Sequence, residues 1–350
     1  MLNPPTTAVV ILNWNGLELL MKFLPALVRH TPADIADIWI ADNGSSDESL
    51  SWLTQNYPQV KTILLEKNYG FAEGYNKALA QIESKYYVLL NSDIEVTPNW
   101  LQPCINILEQ TPVVAAVQPK ILSYRERNRF EYAGAAGGYI DAFGYPFCRG
   151  RLLSVTETDT GQYDEPASLF WATGACLIIR SDVFTSSGGF DGDFFAHMEE
   201  IDLCWRIKNQ GWKIGMVPQS TVFHLGGATL SYQSRQKIFL NFRNNLLMLV
   251  KNLPEKGFIF RILTRMVLDG AAALRFLAVG EMKAFLAVLE AHGSFYKQLS
   301  KTLKKREALL PLVTQSHHPE VYKNSMVLGY YLKNQRKFST LPFNPPPLQS

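Results

Sequence analysis

The sequence has few cysteines, a small net charge and no long apolar run near its N-terminus. Its four cysteines stand far apart and form no CxxC pair, which argues against a zinc site or a disulfide framework and predicts free thiols in a reducing compartment. A net charge of +3 over 350 residues is too small to indicate a nucleic-acid partner. No lysine or arginine precedes the first apolar run, which is too short for a signal peptide or a membrane span. These features predict a cytoplasmic protein.

Two phosphate-binding motifs are also missing. No GxGxxG segment follows a predicted strand, which argues against a dinucleotide-dependent oxidoreductase. The first predicted strand is followed by NWNGLELL, whereas a nucleotidyltransferase would be expected to carry a glycine-rich, basic phosphate loop there. A nucleotidyltransferase is therefore disfavoured, but it stays an alternative.

Apolar runs alternate with amphipathic segments through the first 120 residues. The run at 86–90 is continuously apolar, as expected of a parallel strand that is buried on both faces. Strands that alternate with helices at this spacing predict a Rossmann-like α/β fold, in which helices flank a sheet with right-handed crossovers. The predicted strands are 8–12, 38–41, 60–65, 86–90 and 113–117.

Polar clusters follow four of these strands, at 13–16, 42–46, 68–70 and 91–93. Because ligands of doubly wound sheets bind beyond the carboxyl ends of the strands, the clusters predict one binding site at that edge. Asp93 in the last cluster offers a hard anionic oxygen, which suits Mg²⁺ or Mn²⁺. Taken alone, the last cluster could also be an Asx turn that ends a strand.

Seven short motifs occur in the order and spacing of the family 2 glycosyltransferases, which the chain resembles over about residues 6–230. Within that family the chain is most similar to rhamnosyltransferase-type enzymes that build bacterial surface polysaccharides. The resemblance implies a GT-A fold, a nucleoside-diphosphate-sugar donor (dTDP-rhamnose-like or a UDP-sugar), a hydroxyl acceptor on a glycan or lipid-linked oligosaccharide, and inversion at the anomeric carbon. The motifs are ILNWNG, ADNGSSD, EKNYGFAEGYN, LLNSD, GFDGDFF, EEIDLCWR and VFHLGG.

The resemblance assigns the donor contacts to residues that follow the first four strands. Trp14 takes the position of an aromatic residue that stacks on the base, although a core aromatic is an equal alternative. Asp42 matches a carboxylate that hydrogen-bonds the base, and it could also cap the next helix. Gly70 would let the backbone approach a ligand closely, or would serve a plain turn. The predicted donor-binding residues are Leu12, Asn13, Trp14, Asp42, Asn68, Gly70, Asn76, Asn91 and Ser92.

A metal site is implied at Asn91-Ser92-Asp93, which takes the place of the family's DxD element. Asp93 is then the main carboxylate ligand, and Asn91 lies closer to the ribose or to a metal-bound water. His224 matches a histidine that joins the metal in some relatives, whereas a lone histidine is as often a structural hydrogen-bonding residue. Mixed oxygen and imidazole ligation would suit Mn²⁺ at least as well as Mg²⁺.

The acceptor side centres on the segment 199–202, Glu-Glu-Ile-Asp, which matches the family's E-D-x-D motif. The resemblance makes Glu200 the general base that deprotonates the acceptor, with Glu in place of the usual Asp. Glu199 and Asp202 would share this work or contact acceptor hydroxyls. Acidic residues in the first turn of a helix are also favoured by the helix dipole alone. The predicted acceptor contacts are Trp171, Gly174 and Asp191.

General-base catalysis is sensitive to the position of the carboxylate. A glutamate at position 200 therefore leaves one non-enzymatic function open. That alternative is a non-catalytic carbohydrate-binding or assembly subunit. Asp93, Glu200 and His224 together argue against it.

The last third of the chain is basic and helical in pattern. Residues 231–305 predict basic amphipathic helices that either pack on a catalytic domain at 1–230 or lie on an anionic membrane surface. Charged residues such as Arg261 interrupt the apolar runs, which argues against a transmembrane helix. Residues 306–350 predict a tail whose Pro-rich end does not pack. We therefore expect an enzyme of the cytoplasm, or one bound peripherally to the inner face of the cytoplasmic membrane.

Overall fold

Strands and helices alternate at the start of the chain, as its apolar pattern predicts. The computed structural model describes residues 6–226 and 234–348. The elements up to residue 110 are β1 (Thr7–Asn13), α1 (Leu17–His30), β2 (Ala36–Asp42), α2 (Ser49–Asn56), β3 (Lys61–Leu64), α3 (Gly70–Leu79), β4 (Tyr86–Leu90), β5 (Ile94–Val96) and α4 (Gln102–Gln110).

Short strands dominate the middle of the chain, and helices dominate its end. The middle elements are β6 (Val114–Ser123), β7 (Gly138–Asp141), β8 (Pro146–Cys148), β9 (Arg151–Leu152), β10 (Val155–Thr156), β11 (Ala167–Ser168), β12 (Cys176–Arg180), α5 (Ser181–Ser186), α6 (Glu199–Asn209) and β13 (Lys213–His224). The last elements are α7 (Arg235–Asn252), α8 (Phe258–Ala278), α9 (Met282–Leu309), β14 (Val321–Tyr322) and α10 (Met326–Leu332).

The main sheet has nine strands in the order β11-β13-β6-β12-β4-β1-β2-β3, and β5 pairs with β13. Strands β4, β1, β2 and β3 are parallel neighbours, so their carboxyl ends share one edge. Strand β12 enters antiparallel between β4 and β6, which makes the sheet mixed. The predicted α/β fold with a mixed sheet between helices is confirmed.

The parallel strands are buried on both faces because helices cover both sides of the sheet. Val10 and Leu89 belong to one hydrophobic cluster, whereas their chain neighbours Val9 and Val88 belong to the other. Alternate residues of a strand point to opposite faces, so two apolar layers require an unbroken apolar run. This explains why these strands show no alternation of polar and apolar residues.

A second sheet of five strands, β10-β9-β8-β7-β14, forms in the glycine- and aromatic-rich excursion after β6. Its strand β14 comes from the end of the chain and pairs in parallel with β7. Aromatic rings from both segments pack between these strands and the chain terminus: Tyr139, Phe147, Tyr322, Phe338 and Phe343.

The prediction that the Pro-rich end does not pack is wrong for residues 341–348. The backbone N–H of Ser168 donates to the carbonyl of Pro346 at 3.0 Å. The ring of Phe343 lies 5.3 Å from that of Tyr139, centroid to centroid. Proline restricts the backbone to extended conformations, so laying this segment along a sheet edge costs less conformational entropy than for an ordinary chain.

Helices α7, α8 and α9 pack against one another, and α7 also packs against α6. Most of the second half of α7 is buried, including Asn244 and Asn245, which are 0% exposed. Among helices of the described residues, none has the length and apolarity needed to cross a bilayer. The predicted domain boundary near residue 230 lies outside the described residues.

Candidate active site

The ends of β1 and β2 form a buried polar junction at the edge of the sheet. The Asn13 side chain donates to Asp42 at 3.2 Å and to the Ser49 hydroxyl at 3.0 Å. Asp42 also accepts from the backbone N–H of Ser45 at 3.0 Å, so it orders the turn after its own strand. Trp14 is 49% exposed, which excludes the core alternative for this residue. Its indole is therefore accessible for stacking on a flat ligand beside this hydrogen-bonded junction.

The segment after β3 is held by its own asparagine. The Asn68 side chain accepts from the backbone N–H of Gly70 at 2.8 Å and from Asn43 at 3.2 Å. Gly70 has φ +77°, and a Cβ there would lie 2.5 Å from the ring of Phe195. Glycine is therefore required at this position. The close approach is to Phe195 rather than to a ligand, which corrects the predicted reason for Gly70.

Asn76 and Leu12 serve the scaffold around the donor site. The Asn76 side chain donates to the carbonyl of Phe190 at 2.8 Å and accepts from its N–H at 2.9 Å. Both polar atoms of Asn76 are thus used to join α3 to the loop before α6, which corrects its assignment to the donor pocket. Leu12 packs under α3, where a Cβ at Gly74 would come within 2.9 Å of the leucine side chain.

Asp93 and His224 meet where β5 pairs with the end of β13. The His224 Nε2 lies 3.1 Å from an Asp93 oxygen, and its Nδ1 lies 2.9 Å from Glu131. All three side chains are buried. Burial opposes a charge on the ring, but Glu131 and Asp93 outweigh burial and raise the pKa of His224 to about 10. The pocket therefore stabilises a positive charge between two carboxylates.

These residues fit a divalent cation in part. The 3.1 Å between His224 Nε2 and the Asp93 oxygen is a hydrogen-bond distance, and a metal ion bound by these two residues would displace the proton from Nε2. Glu131 on the far nitrogen would orient the imidazole, as outer carboxylates do in metal sites. Within the described residues, no group of three or more His, Cys, Asp or Glu side chains forms a complete metal cage. A metal here would need oxygens from a ligand or from water.

Asn91 and Ser92 are partly exposed beside this pocket. The backbone N–H of Asn91 donates to the carbonyl of Ala175 at 2.9 Å. This bond joins the end of β4 to the segment before β12, which carries Gly174. A Cβ at Gly174 would lie 3.8 Å from the Cβ of Glu200. The metal pocket, the 91–93 turn and Glu200 are thus connected through one edge of the sheet.

Glu200 lies in the first turn of α6 and is partly exposed. One of its carboxylate oxygens is buried without a hydrogen-bond partner in the described part of the chain. Burial raises the pKa of Glu200 to about 7, against the opposing effect of backbone N–H groups at the helix start. A carboxylate with a free oxygen and a pKa near neutrality suits a general base.

Glu199 is more deeply placed than its neighbour. It is 5% exposed, and it too has a buried oxygen without a partner among described residues. Burial and the nearby Glu200 raise the pKa of Glu199 well above its usual range, which favours the protonated form of its carboxyl. We therefore expect Glu199 to donate a hydrogen bond rather than to act as a second base.

The loop before α6 is strained. Phe195, His197 and Met198 have φ of 64°, 69° and 72°, in the left-handed region that bulky residues rarely adopt. The buried Asn244 on α7 donates to the carbonyls of Phe194, Ala196 and His197 at 3.0, 2.9 and 2.7 Å. Sequence reasoning missed Asn244, for which the only signal was a pair of asparagines inside an apolar helical pattern. Asn244 positions the segment that presents Glu200.

Asp202 does not face the site. It is 0% exposed and accepts from Arg206, Lys251 and Asn252 at 3.0, 2.9 and 2.8 Å. Three donors leave no free oxygen for an acceptor hydroxyl, which corrects the prediction that Asp202 shares in the chemistry. It anchors α6 to α7 instead.

Asp191 is likewise taken up by ion pairs. It contacts Lys251 at 2.6 Å and Lys305 on α9. Burial opposes its charge, but the two lysines hold the pKa of Asp191 well below its usual range. The predicted acceptor contact at Asp191 is therefore corrected to a structural ion pair.

Trp171 is a core residue rather than a platform for a sugar. It is 4% exposed, and its indole N–H donates to the carbonyl of Tyr139 at 2.9 Å. Gly138 packs directly on the ring, where a Cβ would come within 2.1 Å. The predicted stacking of Trp171 on the acceptor is wrong for this reason. Gly174 is buried, and a Cβ there would lie 3.1 Å from the Phe71 ring and 3.8 Å from the Cβ of Glu200, so its contact with an acceptor stays a prediction.

Comparisons with known proteins agree with this geometry. The family model "Glycosyl transferase family 2" matches residues 8–185, half of the chain. Over 234 residues the chain is 25% identical to the N-acetylglucosaminyl-diphospho-decaprenol L-rhamnosyltransferase of Mycobacterium tuberculosis (strain CDC 1551 / Oshkosh), covering 62% of this chain and 75% of that relative.

Two solved structures have a similar fold. Mannosyltransferase PcManGT from Pyrobaculum calidifontis, in complex with GDP-Man and Mn2+, aligns with a TM-score of 0.51 and 15% identity over 88% of this chain and 86% of that one. GalNAc-T7 with UDP, GalNAc and Mn2+ aligns with a TM-score of 0.55 and 20% identity over 71% of this chain and 48% of that one. These likenesses confirm the predicted GT-A fold.

Proposed function

The chain belongs to glycosyl transferase family 2, and from that premise we propose that it transfers one sugar from a nucleoside diphosphate to a hydroxyl, with inversion, in the synthesis of a cell-surface polysaccharide. The acceptor is a glycan or a lipid-linked oligosaccharide. The M. tuberculosis relative is named for rhamnosyl transfer to a diphospho-decaprenol, which favours a deoxyhexose donor such as dTDP-rhamnose over a UDP-sugar.

The observation that carries this proposal is the free carboxylate of Glu200. Its oxygen without a partner among the described residues and its pKa of about 7 provide a proton acceptor in the first turn of α6. In transfer with inversion, the acceptor hydroxyl attacks from the face opposite the diphosphate and loses its proton to this base. No covalent intermediate with the protein is needed.

Asp93 and His224 would hold the divalent metal, Mn²⁺ or Mg²⁺, and Glu131 would orient the histidine. The bound ion would supply positive charge that stabilises the leaving diphosphate. Trp14 provides an exposed aromatic face for the nucleobase of the donor. The hydrogen bond between Asn13 and Asp42 keeps the adjoining ends of β1 and β2 rigid. Asn91 would contact the ribose or a metal-bound water, and Ser92 would add a further contact with the donor.

A panel of nucleotide sugars tests the proposal. We expect Mn²⁺-dependent release of nucleoside diphosphate from one donor, and stimulation of that release by a lipid-linked acceptor. Thermal stabilisation by the matching nucleoside diphosphate should increase when Mn²⁺ is added. A chain that shows neither metal-dependent stabilisation nor release with any donor would be a binding subunit rather than a transferase.

The place of action follows from the acceptor class. A lipid-linked acceptor is confined to a bilayer, so we propose that the enzyme works peripherally on the inner face of the cytoplasmic membrane. Partners are then the donor, the lipid-linked glycan and anionic lipid, with no role for nucleic acid.

A further inference from the structure

Helix α8 buries two charged residues at its centre and exposes several large apolar ones. Arg265 and Asp269 are 4% and 0% exposed and form an ion pair of 2.7 Å. Arg265 also donates to Asn245 on α7 and stacks on Tyr145, with its guanidinium carbon 3.8 Å from the ring centroid. Helices of a protein surrounded by water place these two classes of residue the other way round. The outward side of α8 is therefore unsuited to water.

The outward residues of α8 form one stripe. Phe260, Leu263, Val267 and Leu274 are 70%, 58%, 73% and 64% exposed, at spacings of three, four and seven residues that place them on one side of the helix. An aligned set of large apolar side chains at this exposure differs from the scattered single residues that are normal on a protein surface.

Helix α9 continues the stripe. Met282, Leu286 and Leu289 are 51%, 42% and 51% exposed, again at spacings of four and three. Only residues 279–281 separate α9 from α8, and the two helices pack together. We call these seven residues the outer apolar face: Phe260, Leu263, Val267, Leu274, Met282, Leu286 and Leu289.

The charge around the outer apolar face is positive. Among the exposed side chains between residues 255 and 307, six lysines and arginines stand against four glutamates, a net charge of +2. Arg275, Lys283 and Lys297 are exposed next to the apolar stripe. Two copies of this surface would repel each other, whereas anionic lipid headgroups would be attracted to it.

We propose that the outer apolar face docks this protein on a bilayer that contains anionic lipids, with α8 and the first half of α9 lying in the plane of the membrane surface. Apolar side chains then enter the boundary between headgroups and acyl chains, and the flanking lysines and arginines contact the headgroups. Through its contacts with Asn245 and Tyr145, the inward Arg265 keeps α8 fixed to the rest of the protein during docking.

The same helix reaches the active site. Lys301 and Lys305 of α9 pair with Asp193 and Asp191, in the loop that precedes Glu200. From Leu289 to Lys305, α9 extends about 24 Å. Docking would therefore hold the loop that precedes Glu200 at a fixed distance from the membrane surface. The proposal rests on the proposed function only in naming a lipid-linked acceptor as the reason for docking.

Vesicle flotation of the full chain tests this proposal. We expect the protein to float with vesicles of phosphatidylcholine and phosphatidylglycerol, and less with phosphatidylcholine alone. The double variant Val267→Glu/Leu274→Glu should lower the partition coefficient on the order of tenfold, because it places two carboxylates in the docked face. Val267→Ser/Leu274→Ser should give a smaller loss, which separates the apolar contribution from that of charge.

The matched control is Met21→Glu/Leu64→Glu, at positions 51% and 67% exposed on α1 and β3. It changes the net charge by the same amount but leaves the outer apolar face intact, so vesicle binding should stay near that of the unmodified chain. Equal losses in the two glutamate variants would overturn the proposal, as would failure of the unmodified chain to bind anionic vesicles. Sedimentation equilibrium completes the test: a dimer that the α8 variant dissociates would make a second copy the occupant and overturn bilayer docking.

Transfer to a water-soluble acceptor separates the two proposals. Vesicle binding requires no donor, so a chain that binds vesicles but shows no transfer contradicts only the proposed function. A chain that transfers sugar but ignores vesicles contradicts only the docking.

Discussion

The donor side and the base side of the site are built in different ways. On the donor side, Asn13 and Asp93 lie at the ends of neighbouring parallel strands, and their partners Asp42 and His224 end β2 and β13 of the same sheet. On the base side, Glu200 follows a strained loop whose carbonyls are bound by Asn244 on α7. The donor side is therefore supported by the sheet itself, whereas the base side depends on the C-terminal helices.

This difference changes the role of the C-terminal third. Lys251 and Lys305 cross from α7 and α9 to Asp202 and Asp191 around the start of α6. Such buried contacts would be costly to break singly, because one partner would be left as an uncompensated charge. We infer that these helices are part of the catalytic apparatus on the acceptor side, in addition to any role at a membrane.

The variant Glu200→Gln has the largest expected effect, and it tests whether the base side is built independently of the donor side. We expect transfer to fall by about 10²–10⁴-fold, since the variant keeps the shape of the side chain but cannot accept the proton. Stabilisation by nucleoside diphosphate with Mn²⁺ should persist, because the donor side is built independently. Glu199→Gln is the matched variant and should cost far less, because the raised pKa of Glu199 favours the form that does not accept a proton. Full transfer by Glu200→Gln would remove Glu200 as the base.

Asp93→Asn tests the donor side, as Glu200→Gln tests the base side. We expect kcat/KM to fall by about 10²–10³-fold, because the charge that binds the metal is lost. The Mn²⁺-dependent part of thermal stabilisation by nucleoside diphosphate should disappear. Asp37→Asn, which alters only a surface pair with Lys61, serves as the control. Undiminished activation of Asp93→Asn by Mn²⁺ would place the metal elsewhere.

Asn244→Ala tests whether α7 supports the loop that precedes Glu200. Three carbonyls lose the asparagine as a donor, although that of Phe194 keeps Arg243, so we expect the free energy of unfolding to fall by about 1–3 kcal/mol. We also expect kcat to fall by roughly tenfold while the donor KM stays unchanged, because misplacing a base affects the chemical step. Asn106→Ala, at an exposed position on α4, is the control. Equal changes in kcat and donor KM would indicate a general structural effect instead.

The smallest predicted effect is on pH dependence. Glu200 must be deprotonated to act as a base, so kcat/KM should rise with pH and level off above its pKa of about 7. Below that value activity should fall about tenfold per pH unit. The affinity for nucleoside diphosphate should not follow this curve, since Glu200 is not on the donor side. A pH profile without an acidic limb near neutrality would contradict the assignment.

Much of the donor side could be predicted from the sequence. Four parallel strands with polar residues at their carboxyl ends must bring those residues to one edge, and Asn13, Asp42 and Asp93 lie there. Glu131 could not be found in this way, because nothing in the segment around it indicates that it meets His224, which is 93 residues further along the chain. The role of Asn244 could not be identified from the sequence for the same reason.

Residue type and spacing in this chain determined the alternation of strands and helices, the edge at which we expect ligands to bind, and the presence of carboxylates there. Only the tertiary structure decided which carboxylates are free to react. Glu200 and Asp202 are two residues apart on one helix, yet one has an unpartnered oxygen and the other has three donors. Periodicity reflects local geometry, which the sequence carries directly, whereas a partner from a distant helix is set by how the elements pack. The outward apolar side of α8 belongs to this second class, because an amphipathic pattern does not say which face turns inward.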